Sequence, residues 1–310
     1  MEYNENQFYG YLVKGDLHHA MGYLSQFPEQ KELYLKYLSV FEEEQYLTFK
    51  ADEFLDKILC IYQKYYRDVF YLNMEAEKAR EILISRFADF FRLQDQNFGL
   101  PEQIEYKIKK AFHDRSFHFL GGRTGGYLGP YIWKETETVH YRVELPSGIQ
   151  QYTVKLLDGF ISKSWLDYIS FGAVSTGGWT DGDGIINCVK SSYDLKSENF
   201  TISLLKHEAQ HAMDLQQYKN MSSEDLEYRA KLVELIYSSE RTLLKHFSRE
   251  ADSSKVSNGH AMASARILSE FTKERNQNPA ELACLSIQEI QRISKKLFAK
   301  SNEEIRQKYT

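Results

Sequence analysis

The stretch "LLKHEAQHAMD" (204–214) contains an H-E-x-x-H pentapeptide formed by His207, Glu208 and His211. Residues 197–218 include neither proline nor glycine and repeat apolar residues at helical spacing, which predicts an amphipathic helix. Histidines four residues apart lie one turn apart on the same side of a helix, so each can bring a ring nitrogen to about 2.1 Å from one Zn²⁺. Glu208 projects beside such a metal and can take a proton from a water that the metal activates.

The order of elements around this pentapeptide resembles the zincin metallopeptidases. A short apolar strand is predicted at 185–189, and in zincins a strand along the substrate cleft precedes the H-E-x-x-H helix. The resemblance depends on His207, Glu208 and His211 and covers roughly residues 138–235. It implies Zn²⁺ as the cofactor and hydrolysis of an amide, in a peptide or protein substrate, with Glu208 as the general base.

A zincin needs a third protein ligand, which differs between subgroups. The metzincin extension H-E-x-x-H-x-x-G-x-x-H is absent, because Asp214 and Gln217 stand where its glycine and third histidine would be. The gluzincin subgroup takes a glutamate from a following helix, and "MSSEDLEYRAKLVELIY" (221–237) predicts such a helix. Glu227 begins an E-x-x-A pattern similar to the second gluzincin motif and is the predicted third ligand. Glu234, seven residues later on the same stripe, is the alternative.

Two further residues are candidates for supporting roles. His260, in "SNGHAMASARIL" (257–268), begins a predicted helix. It is a candidate catalytic residue that donates to the oxyanion, as a histidine or tyrosine does in many gluzincins, and capping of its helix is the alternative. Asp214, three residues after His211, is a candidate for orienting a ligand imidazole through a hydrogen bond.

The rest of the chain divides into a helical part and a mixed part. From residue 5 to residue 115, apolar residues repeat at helical spacing almost throughout. Segments 138–146 and 150–160 alternate and are separated by the turn signal Pro146-Ser147-Gly148, which predicts a hairpin. After the strand predicted at 185–189, apolar residues again repeat at helical spacing.

These patterns predict an α+β fold that is mainly helical. We expect a helical N-terminal domain over 1–115. We expect a zincin-like metallohydrolase domain over 116–310, with a small, mostly antiparallel sheet and the H-E-x-x-H helix.

Composition excludes several classes of function. The net charge of −5, without a concentrated basic block, argues against a nucleic-acid-binding protein. Three scattered cysteines without a C-x-x-C pair indicate neither a disulfide framework nor a thiolate zinc site. The N-terminal residues lack the apolar core of a signal peptide, and no window reaches the apolar length of a membrane span. We therefore expect a cytoplasmic protein that does not engage membranes.

The predicted function is a zinc-dependent hydrolase, a gluzincin-like metallopeptidase. The alternative is a regulatory or catalytically inactive zincin-fold protein that acts through a protein partner bound by its N-terminal helices. In a third interpretation the pentapeptide is an accidental part of a polar helix face, and the chain is a helical binding protein without a metal.

Overall fold

The computed structural model describes residues 2–49, 52–93, 100–180, 185–254, 258–276 and 279–309. The α-helices of these ranges are α1 (Glu5–Val13), α2 (Leu17–Leu24), α3 (Lys31–Tyr37), α4 (Glu53–Tyr66), α5 (Ala76–Phe91), α6 (Leu100–His113), α7 (Ser164–Ile169), α8 (Leu205–Gln217), α9 (Ser223–Tyr237), α10 (Thr242–Glu250), α11 (Gly259–Arg275) and α12 (Ile287–Tyr309). The strands are β1 (His118–Leu120), β2 (Arg123–Thr124), β3 (Tyr127–Leu128), β4 (Tyr131–Trp133), β5 (Glu135–Leu145), β6 (Gly148–Asp158), β7 (Ser162–Lys163), β8 (Gly178–Thr180) and β9 (Ile185–Val189). The mainly helical α+β class predicted from the sequence is confirmed.

Short helical segments of other types adjoin these helices. π-helical segments cover Leu38–Glu42, Arg67–Tyr71 and Asn199–Leu204, and 3₁₀ segments cover Pro28–Gln30, Lys190–Ser192 and Pro279–Cys284. None of the described helices combines the length and the apolar composition that crossing a bilayer requires.

The chain forms two compact units, each assembled from two segments. The first unit is Met1–Glu135 with Asp158–Thr176, and the second is Thr136–Leu157 with Gly177–Thr310. The boundary predicted between residues 115 and 116 therefore lies inside the first unit. The reason is local pairing: β1 is hydrogen-bonded to β4, and β4 to β7, so these strands belong to one small sheet.

The first unit contains α1 to α7 around an aromatic core. Its largest fully buried side chains are Phe8, Tyr37, Phe41, Tyr65, Phe70, Phe87 and Phe112. The hydroxyl of Tyr37 donates a hydrogen bond to the carbonyl of Ile169 over 2.7 Å, which connects α7 with the earlier helices. Large, rigid aromatic side chains supply much of the buried apolar area in this unit.

The second unit contains a four-stranded sheet and α8 to α12. The strand order is β5-β6-β9-β8, so β8 is an edge strand. β6 runs parallel to β9, with Val154 opposite Ile186, and β8 runs antiparallel to β9, with Thr180 opposite Ile186. Tyr152, Val154 and Leu156 alternate along β6 and are buried, as expected for a strand with one face on the core.

Helix α9 is buried on nearly all sides, yet it carries several charges. It packs against α8, α11 and α12. Its buried charged residues are Asp225, Glu227, Arg229, Lys231 and Glu234. Burying an unpaired charge costs a protein roughly several kcal/mol of folding free energy. Each of the five makes an ion pair with a side chain of opposite charge or with a histidine, and two of these contacts form the candidate site.

Candidate metal centre

Helix α8 presents the two histidines of the pentapeptide to one point, as predicted. The Nε2 atoms of His207 and His211 are 2.9 Å apart. Their ring planes are nearly perpendicular, at 82°, and both side chains are buried. Two imidazoles one helical turn apart thus direct the same ring nitrogen toward a shared position.

Glu227 of α9 brings a carboxylate to that same position. Its Oε2 atom lies 3.4 Å from Nε2 of His207, and its Oε1 atom lies 3.4 Å from Nε2 of His211. Ala230, one turn along α9, is fully buried, and its small side chain permits the close approach of helices α8 and α9. The structure therefore places the predicted third ligand beside both Nε2 atoms.

Glu234, the alternative third ligand, lies on the other side of the His207 ring. Its Oε1 atom is 2.7 Å from Nδ1 of His207. A carboxylate in this place orients an imidazole and fixes its tautomer. Nδ1 of His211 is buried without a hydrogen-bond partner among the described residues, so only His207 is oriented in this way.

The three groups fit the donor set of a zinc ion. Two ligands about 2.1 Å from one Zn²⁺ at the tetrahedral angle lie about 3.4 Å apart. Each carboxylate oxygen of Glu227 lies at this distance from one of the two imidazoles, and the distance between the imidazoles is shorter. Oε2 of Glu227 is buried without a hydrogen bond from the described residues, which suits a carboxylate that binds a cation.

The histidines and glutamates of the cluster shift one another's pKa values. Burial lowers the pKa of His207, but the carboxylates of Glu227 and Glu234 outweigh this effect and raise its pKa. Burial raises the pKa of Glu227, and the imidazoles of His207, His211 and His260 more than offset this and hold its pKa well below its ordinary value. The cluster therefore attracts positive charge, whether a proton or a metal ion.

Glu208 follows His207 in the sequence and lies beside the cluster. The possible ligand atoms of His207, Glu208 and His211 all lie within 4.8 Å of one another. The hydroxyl of Thr180, the last residue of the edge strand β8, donates a hydrogen bond to Oε2 of Glu208. Nothing in the sequence singled out Thr180, because the glycines and aspartates around it are typical of a turn.

His260 also lies at the cluster. Its Nδ1 atom lies 2.9 Å from Oε2 of Glu227. The angles at this contact are not those of a hydrogen bond, so that oxygen has no hydrogen-bond partner among the described residues. Its ring stacks on that of His207 with a centroid separation of 6.3 Å, and 54% of its side chain is exposed. Asn258, and not His260, caps α11, because its side chain accepts a hydrogen bond from the backbone of Ala261.

Asp214 does not have the role predicted for it. Its Oδ2 atom accepts a hydrogen bond from Nε of Arg229 over 2.8 Å, and both side chains are buried. One face of α8 thus carries an ion pair to α9. The carboxylate that contacts a pentapeptide imidazole through Nδ1 is that of Glu234.

A cleft of about 680 Å³ opens beside the cluster. Its lining includes His207, Glu208 and His260 from the cluster and Tyr193 from the segment before α8. Burial raises the pKa of Tyr193 to about 12, and Glu208 contributes to this increase. With 22 tyrosines in the chain, the sequence held no signal that singled out this one.

Comparisons with protein families, with curated proteins and with solved structures give no match. The similarity to zincins therefore depends on the H-E-x-x-H spacing and on the order of β9, α8 and α9.

Proposed function

We propose that the second unit is a zinc-dependent hydrolase that cleaves amide bonds in peptides or proteins. The observation that supports this most strongly is the convergence of Nε2 of His207, Nε2 of His211 and the carboxylate of Glu227 beside a large cleft. In this proposal these three residues hold Zn²⁺. A bound Zn²⁺ would supply a Lewis acid that polarises a carbonyl and lowers the pKa of water.

Glu208 acts as the general base in this mechanism. It takes a proton from the attacking water and returns it to the departing amine. Thr180 donates to Oε2 of Glu208, and Oε1 accepts no hydrogen bond from the described residues. The carboxylate is therefore held at one oxygen, while the other is available to the water.

Two residues around the metal ligands have supporting roles in the proposal. Glu234 holds the His207 ring through Nδ1 and so keeps Nε2 directed at the metal position. His260 lies at the cleft with half of its side chain exposed, where its imidazole can donate to the oxygen of the scissile carbonyl as negative charge develops.

An extended peptide is the substrate that suits the sheet. β8 is an edge strand, and its first residue, Gly178, lines the cleft. A peptide that adds to such an edge is bound by backbone hydrogen bonds, independent of its sequence. The proposal includes a reducing, cytoplasmic setting, which agrees with the free thiols of Cys60, Cys188 and Cys284.

Glu208→Gln tests the proposal. The variant keeps the shape of the side chain and removes the base, so it should retain zinc and lose at least about 100-fold in peptide cleavage. Glu240→Gln, the same change at an exposed glutamate that also lines the cleft, is the matched control and should cleave normally. Cleavage of a peptide library, followed by mass spectrometry, is the readout. Undiminished cleavage by Glu208→Gln, or no cleavage by zinc-loaded wild type, would overturn the proposal.

A further inference from the structure

The cleft beside the metal position carries an excess of negative charge. The carboxylates among its described lining residues are those of Glu198, Glu208, Glu234, Glu240 and Glu250, and its only lysine is Lys231. The excess of negative charge remains when the positive charge of a bound Zn²⁺ and the negative charge of Glu227 are both included. Carboxylates in a cleft with low-dielectric walls raise the local concentration of cations.

Most of these carboxylates already have a partner or a role. Both oxygens of Glu198 accept hydrogen bonds from Ser238 and Ser239. Glu240 is exposed and accepts from Thr242. Glu208 and Glu234 belong to the proposed catalytic group. Glu250, the fifth carboxylate, also has partners, but unlike the exposed Glu240 it is partly buried and fixed in position, as suits a carboxylate that binds a ligand.

Glu250 is held in place at one oxygen only. Its Oε2 atom accepts hydrogen bonds from Nζ of Lys231 and from the hydroxyl of Ser264, each over 2.7 Å. Its Oε1 atom accepts none from the described residues, and 28% of the side chain is exposed. The lysine, by contrast, is 5% exposed and lies over the ring of Phe247. The ion pair therefore buries the cation, and the side chain whose Oε1 atom accepts no hydrogen bond from the described residues lines the cleft.

The ion pair of Lys231 and Glu250 lies one helical turn along α9 from Glu227 of the proposed metal centre. Lys231 follows Glu227 by four residues, which is one turn of α9, so both side chains lie on one stripe of the helix. Burial raises the pKa of Glu250, but Lys231, Ser264 and His260 hold it below its ordinary value. Glu250 is thus negatively charged at neutral pH and lies close enough to His260 to be affected by its charge.

We propose that Glu250 determines specificity by binding a positively charged group of the substrate, through its Oε1 atom. The ligand chemistry is an ammonium or guanidinium cation, which comes either from a lysine or arginine side chain or from a free N-terminal amine. This inference rests on the proposed function, since it names the substrates that the hydrolase accepts. Lys231 and Ser264 are positioning residues that fix the carboxylate.

Binding of matched peptides to the zinc-loaded, full-length Glu208→Gln protein tests this inference without cleavage. The probes are a peptide with blocked ends and a central lysine, the same peptide with Nε-acetyllysine, and the acetyllysine peptide with a free N-terminal amine. We expect one or both cationic peptides to bind about tenfold more tightly than the neutral one, which corresponds to about 1.4 kcal/mol. The peptide that shows the preference identifies the source of the cation.

Glu250→Gln, added to the same protein, should reduce this preference to less than twofold and leave the affinity for the neutral peptide unchanged. Its amide oxygen can still accept from Lys231 and Ser264. Glu240→Gln is the matched control, because it removes one charge from the cleft and should retain the preference. If Glu250→Gln does not fold, Glu250→Asp keeps the charge, withdraws it by one methylene, and should reduce the preference at least threefold.

The inference is overturned if both cationic peptides bind no better than the neutral one, absence of binding included. It is also overturned if the preference survives in the Glu250 variants. Hydrolysis of the same peptides by zinc-loaded wild type separates this result from the proposed function. A binding preference without hydrolysis contradicts only the proposed function, and hydrolysis without a preference contradicts only the role of Glu250.

Discussion

Nδ1 of His207 donates a hydrogen bond to Oε1 of Glu234 over 2.7 Å, and both side chains are buried. Because an ionised carboxylate only accepts, this hydrogen bond holds a proton on Nδ1 and makes Nε2 the nitrogen that is available to a metal ion. Burial lowers the pKa of His207, but the carboxylates of Glu227 and Glu234 raise it above its ordinary value, so a metal ion bound at Nε2 would replace a proton there. Nε2 lies at the position shared with His211 and Glu227. The second half of α9 therefore orients an imidazole of α8 that we propose as a metal ligand.

The two glutamates of α9 should differ in their effect on zinc binding. Glu234→Gln keeps an acceptor for Nδ1 but weakens it, and we expect zinc affinity to fall about 10- to 100-fold. Glu227→Gln removes a proposed ligand, and the resulting decrease in zinc affinity should exceed about 100-fold. Competition with a chromophoric chelator measures both affinities. The reverse ranking would identify Glu234 as the ligand and Glu227 as its support.

The hydroxyl of Thr180 should contribute to catalysis and not to metal binding. Thr180→Val keeps the shape of the side chain and removes the hydrogen bond to Glu208, which is worth about 1 kcal/mol. We expect kcat/KM to fall about three- to tenfold with the zinc content unchanged. Thr201→Val, which removes a hydroxyl that donates to the carbonyl of Ser197, is the control. Equal effects of the two variants would argue against a role for Thr180 in holding the base.

The start of α9 should make stability dependent on pH. Asp225 accepts hydrogen bonds from Arg266, Lys308 and Tyr309. Burial raises its pKa, but these partners and Ser222 lower it to about 2. In the unfolded chain the pKa is about 3.9. Because the folded pKa is lower, the stabilisation is present above about pH 4 and is lost as the pH falls toward about 2.

Asp225→Asn measures this contribution. The free energy of unfolding at pH 7 should decrease by about 1 to 2 kcal/mol, a value reduced for the solvent that reaches Lys308. Urea denaturation of both proteins between pH 7 and pH 2 is the measurement. The difference between them should narrow below pH 4. A difference that stays constant over this range would show that the charge of Asp225 does not stabilise the fold.

Local patterns in the sequence predicted the elements that form the site. The strand predicted at 185–189 coincides with β9, and the helix predicted within 221–237 is α9. Ser222 caps that helix by accepting a hydrogen bond from the backbone of Asp225, a contact that serine favours at the start of a helix. Periodicity and capping are local properties, so they can be recognised without knowledge of the packing.

Long-range relationships could not be predicted in the same way. Glu227 and Glu234 lie on one stripe of α9, and only the depth at which α8 packs decides which faces Nε2 of His207 and which faces Nδ1. Lys231 and Glu250 come together from helices α9 and α10, across 19 residues of sequence. Pairing of the β1, β4 and β7 strands likewise placed residues after 115 in the first unit.

The zinc content of the purified protein tests the central claim most directly. The protein is prepared without chelator or added metal, beside His211→Ala and the control His246→Ala, which alters an exposed histidine of the cleft. We predict about one zinc per chain in wild type and in the control, and none in His211→Ala, since loss of one ligand opens the site. Zinc absent from wild type and not taken up on dialysis, or zinc retained by His211→Ala, would contradict the metal centre.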